Sequence, residues 1–156
     1  MSVVDDLGTY LSAGSTRLTK GVTLFGHILP VSTGNSHVSG TLPIVALVEE
    51  LSLPPIGKFV PSAGGLPAFQ KNVVRVLCRS THGAGAEPDP RPSRGLIDNV
   101  WNLVESYPPN STVSGGSEGP MTLETFGSPA IMNRDNNGRQ IWTFTLQATV
   151  IPSTST

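Results

Sequence analysis

Residues 141–150, IWTFTLQATV, constrain the fold more than any other stretch of the chain. Trp142, Phe144, Leu146, Ala148 and Val150 alternate with Ile141, Thr143, Thr145, Gln147 and Thr149. Period-2 alternation sends the first set to one side of a pleated strand and the second set to the other, which predicts a half-buried antiparallel strand. A sheet with one apolar face needs something to cover that face, so the rest of the chain is read for elements able to do so.

Two segments carry helical spacing instead. Val3, Val4, Leu7, Tyr10 and Leu11 form one stripe within residues 2–12, with Gly14 as a stop. Ile97, Val100, Trp101 and Val104 form a second stripe, with Ser93 as the expected N-cap and Pro108-Pro109 as the end. Further strands are expected in "GVTLFGHILP" (21–30, a strand or extended arm), "LPIVALVEEL" (42–51, where a helix stays open) and "FQKNVVRVLCRS" (69–80). Another is expected in residues 121–134, broken at Gly127. Between them lie Gly-, Pro- and Ser-rich loops at 31–40, 54–67 and 81–92, a polar loop at 111–120, and the short polar tail IPSTST. The order α-β-β-β-α-β-β predicts one α+β domain over residues 1–156: a largely antiparallel sheet with two helices packed on one face.

At 156 residues the chain is long enough to bury a sizeable core without covalent staples. Charged residues make up only 13% and the net charge is −1, so nothing draws the chain to nucleic acid or an anionic membrane. No apolar run approaches the ~20 residues of a membrane span, and the first residues lack a basic signal-peptide region. A soluble protein acting inside a cell is expected. Cys78 is the only cysteine, which excludes an internal disulfide.

Four motifs suggest chemistry, and each has a simpler reading. Asn133, Asp135, Asn137 and Gly138 spell the start of a calcium loop. The position of the closing acid is Phe144, however, and no helix follows. Asn137 and Gly138 read instead as a hairpin turn into the last strand, flanked by Arg134, Asp135 and Arg139. "GGSEG" (115–119) has the spacing of a serine-hydrolase elbow but no preceding strand or following helix, and His27, His37 and His82 all come before it. Cys78 and His82 are spaced for a thiolate pair, but Cys78 shares a strand face with Val74 and Val76 and reads as core. "HGAGAE" lacks the third glycine and the lysine of a phosphate loop. No catalytic residue, metal ligand or cofactor site is therefore expected, and function is expected to reside in surfaces.

The order of features resembles the tail terminator (tail completion, or minor capsid) proteins of long non-contractile-tailed bacteriophages. The resemblance is carried by "DDLGTYL", "TLFGHILP", "NVVRVLCRS", "RGLIDNVWNLVES" and "SPAIMNRDNNGRQIWTFTLQATV". The last matches a family ending of Ser-Pro, a short apolar strand, Arg-Asp-x-x-Gly-Arg and a final alternating strand. Loops 31–40, 54–67 and 81–92 are longer and richer in Ser, Gly and Pro than the family pattern.

The resemblance implies a virion structural protein and not an enzyme. It implies a homo-oligomeric ring, usually of six subunits, at the head-proximal end of the tail tube. The ring halts tube polymerisation and joins head-completion (neck) proteins, while DNA passes through its lumen. Its place is the tail–neck junction of the virion, after assembly in the host cytoplasm. Ile141, Thr143, Thr145 and Thr149 form an uncharged β-prone row, expected with the long loops to make ring contacts. Two other readings stand beside this one: a head–tail connector or stopper of the neck, and a small cellular module that binds peptides by strand addition.

Overall fold

The computed structural model describes residues 2–27, 43–56, 69–80, 91–134 and 140–150. Seven elements follow in chain order: α1 (Val3–Gly14), β1 (Leu24–Gly26), β2 (Ile44–Ile56), β3 (Phe69–Arg79), α2 (Arg91–Glu105), β4 (Met121–Arg134) and β5 (Gln140–Val150). The strands form one five-stranded sheet in the order β1-β2-β3-β5-β4. Every pairing is antiparallel except that of β1 with β2, which is parallel. The α+β architecture expected from the sequence is the one observed.

Both helices cover the same face. Val4, Leu7 and Leu11 of α1 and Leu96, Ile97, Val100 and Val104 of α2 join one core with Val74, Val76 and Cys78 of β3 and the alternate residues of β5 from Trp142 to Val150. The alternation in β5 thus maps directly onto burial. Tyr10 ties the helices together: its hydroxyl donates to the Leu103 carbonyl at 2.7 Å, and its ring meets Tyr107 edge-on at 4.9 Å.

Local chemistry sets the helix ends. Ser2 caps α1 in a reciprocal box with Asp5, satisfying two N–H groups that a helix start leaves open. In α2 the first helical residue is Arg91, so Ser93 lies inside the first turn and is fully buried; it is not the N-cap. The Cys78 thiol donates to the Ser93 carbonyl at 3.4 Å, which joins β3 to the start of this helix.

The strands differ from expectation in two places. β2 is a strand, not a helix, and it continues through Pro54-Pro55 to Ile56, where a loop was expected. A bulge at Glu49–Leu51 shifts its register against β3. β4 is continuous and not broken at Gly127. On β4 a four-residue step from Phe126 to Ala130 spans the two-residue step from Thr145 to Thr143 on β5. Gly127 supplies the φ of 76° this bulge needs, and the Trp101 indole N–H donates to its carbonyl at 3.1 Å. The turn residues Asn137 and Gly138, the loops at 31–40, 57–67 and 81–90 and the tail 151–156 lie outside the described residues.

Candidate assembly surfaces

The row singled out on β5 lies on the sheet face opposite the helices. Since β5 sits between β3 and β4, the row is flanked on both sides. Thr143 stands between Leu77 and Ala130, Thr145 between Arg75 and Phe126, and Thr149 between Lys71 and Thr122. Ile141 is already 8% exposed in the single chain, level with buried Arg79 and Ile44. The open part of this face is therefore Thr143, Thr145 and Thr149, all half-buried. It is not an uncharged surface: Arg75, beside Thr145, pairs with Glu50 at 2.8 Å. The bulge in β2 places that acid, and the spacing of β5 alone carries no sign of it.

The lateral edges of the sheet are more distinctive. Among the described residues, the exposed large apolar side chains are Val22, Phe126, Ile131 and Met132. The last three lie on β4, which ends the sheet on one side. Its outer edge pairs with Ser111 at Met121 and takes the Trp101 indole N–H at the Gly127 carbonyl, while no further described strand covers it; Phe126 is 53% exposed. Natural sheets usually blunt such an edge with charge or cover it. Glu124 and Phe126 share the open face of the sheet, opposite Gln147 and Thr145 of β5.

Val22 belongs to the opposite side, in the turn before β1. There a cleft of about 220 Å³ opens between α1, this turn and the sheet, lined by Val4, Asp5, Gly8, Lys20, Leu24, Phe25, Gly26 and Leu47 among others. It is smaller than the ~300 Å³ at which small-molecule pockets begin. Lys20 crosses Gly8 and donates to the Thr9 hydroxyl at 2.7 Å. Asp5 stands on the rim, 3.9 Å from His27, and its hydrogen bond from the Ser2 N–H holds its carboxyl below the ordinary range.

The remaining motifs resolve into structure. The GGSEG loop is no nucleophile elbow: the Ser117 N–H donates to Asp6 Oδ1 at 2.9 Å and the Glu118 N–H to Oδ2 at 2.9 Å. These turn-like amides form a nest for an anion, and the anion is the buried carboxylate of α1. Gly116 must be glycine, because a Cβ there would sit 2.5 Å from Asp6 Oδ2. Sequence reasoning missed this pair; consecutive glycines hinted at a nest, but the acid lies 111 residues earlier. Cys78 is buried, and burial pushes its thiol up to about 12. His37 and His82 lie outside the described residues. Among the described residues no three metal-ligating side chains cluster, and no helix is long and apolar enough to cross a membrane.

Neither a known family model nor a curated protein matches this chain.

Proposed function

We propose that this chain is a tail terminator of a long non-contractile-tailed phage, building a homo-oligomeric ring on the head-proximal end of the tail tube. The ring stops tube growth and offers its upper surface to the neck proteins. The observation that carries the reading is the exposed apolar cluster on β4, the outermost strand of the sheet, where Phe126 stands on the open face beside Thr145. Such a surface suits a subunit that is completed by its neighbours. The element order α-β-β-β-α-β-β and the SPAIMNRDNNGR ending support it through the resemblance described above. A net charge of −1 is consistent with a lumen that lets DNA slide past without gripping it. Thr143, Thr145 and Thr149 add a face contact, so charged substitutions at Thr143 and Thr145 are expected to weaken the ring.

Electron microscopy of the protein with its tail tubes tests the reading. A ring of density at one end of each tube is the expected result. Density spread along the tube, or none on the particle, sinks it. The free edge of β4 also favours a second reading, a monomeric module that captures an extended peptide as a sixth strand. Titration with extended peptides would then give saturable binding by a protein that sediments as a monomer at every concentration.

A further inference from the structure

We infer that the Trp101 indole guards the outer edge of β4, and that removing its N–H opens this edge to antiparallel pairing with the β4 of a second copy. The inference rests on the fold and not on the ring reading.

Three observations lead there. First, the chain closes one end of this edge itself. The Met121 N–H donates to the Ser111 carbonyl at 2.9 Å, and the Ser111 N–H donates back to Met121 at 3.2 Å. These bonds show which backbone groups of β4 point away from β5. Successive residues of a strand turn their N–H and C=O to opposite sides, so Leu123 and Thr125 also point outward, while Thr122, Glu124 and Phe126 point to β5.

Second, the next outward group is already taken. The Gly127 carbonyl accepts the Trp101 Nε1–H at 3.1 Å, and Trp101 is anchored on α2 by its packing against the core. Past Gly127 the strand enters its bulge, where Pro129 brings no N–H. Between the Ser111 bridge and the indole only Leu123 and Thr125 stay open, a shorter run than strands ordinarily pair over.

Third, the strand suits a copy of itself. From Met121 to Met132 its one charged residue is Glu124, and Phe126, Ile131 and Met132 are exposed. Such an edge is a template for an identical strand. A two-fold centred on Glu124 would set the two acids directly opposite each other, which is unfavourable. Centred on Thr125, the pairing sets Glu124 opposite Phe126 and Leu123 opposite Gly127. In that register the Leu123 N–H of one copy needs the Gly127 carbonyl of the other, the group that Trp101 holds. The indole therefore occupies the acceptor on which the favourable register depends.

The test uses the full chain and a fluorescent synthetic peptide with the β4 sequence MTLETFGSPAIMNR, read by anisotropy, with circular dichroism confirming that each variant is folded. Trp101→Phe keeps an aromatic ring and loses the N–H; it is expected to bind the peptide at least about tenfold more tightly than the wild type. Adding Thr125→Pro removes the outward N–H at the centre of the pairing and is expected to return binding to the wild-type level. Amide hydrogen exchange should show Leu123 and Thr125 protected by the peptide in Trp101→Phe. A Trp101→Phe protein that binds no better than the wild type overturns the inference. So does a double variant that binds as tightly as Trp101→Phe alone, or binding without protection of those two amides. Tail-tube micrographs of the wild type judge the ring reading separately.

Discussion

The junction of α1 with residues 115–119 and the outer edge of β4 are opposites. At the junction a buried carboxylate receives two backbone N–H groups and the Ser117 hydroxyl, and a glycine makes room for it. Nothing there needs a partner. At β4 the outer edge has no further described strand beyond the Ser111 bridge at Met121, and Phe126, Ile131 and Met132 are exposed. The first region uses polar groups to complete the fold; the second leaves apolar groups that the fold does not use. Stability is therefore held at the junction, while β4 carries the exposed apolar surface.

The comparison breaks if Asp6→Ala leaves stability unchanged. Loss of the acceptor leaves the part-buried Ser117 and Glu118 N–H groups without their partner, at a cost of about 2 kcal/mol, which lowers Tm by roughly 4–8 °C in a chain of this size. Thermal melts check this, and the association of the folded variant should be unaffected. Gly127→Ala touches the other region: no atom blocks the Cβ, but the positive φ costs about 1–2 kcal/mol. That variant should lose a few degrees in Tm and, under the proposed ring reading, also associate less well, because the bulge shapes the β4 surface. Thr145→Lys, on the open face, should cost stability little and, under the proposed ring reading, weaken self-association measured by sedimentation.

The smallest effect at neutral pH belongs to Cys78. With its thiol at about 12 instead of the usual 9, the native state holds a proton that the unfolded chain releases between those values. The contribution is intact below pH 9 and is lost as pH rises towards 12. At pH 8 the thiolate fraction is roughly a thousandfold lower than in an unshifted thiol, so Ellman's reagent should label the native protein only as fast as it opens.

The layers and faces were legible because burial follows periodicity: β5 alternates with its core, and the stripes of α1 and α2 are the residues found inside. What was not legible depends on register between segments distant in sequence. Glu50 reaches Arg75 because of a bulge in β2, and Pro54-Pro55 read as a loop although pairing carries β2 beyond them. Asp6 reads as an ordinary acid in the first turn of a helix until the GGSEG amides close over it. The edge itself was invisible for the same reason. The last described strand of the chain is not the last in the sheet: β5 lies inside it and β4 forms its outer strand.

That strand order has a consequence for the birth of the molecule. β5 is the strand partner of both β3 and β4, and β4 has no other. Until residues 140–150 leave the ribosome, β1-β2-β3 and β4 remain two unjoined pieces, and the sheet closes only when its keystone arrives. A chain made this way cannot hold β4 in the sheet until residues 140–150 have been made, so the β3–β5 pairing is a late and sequence-distant step.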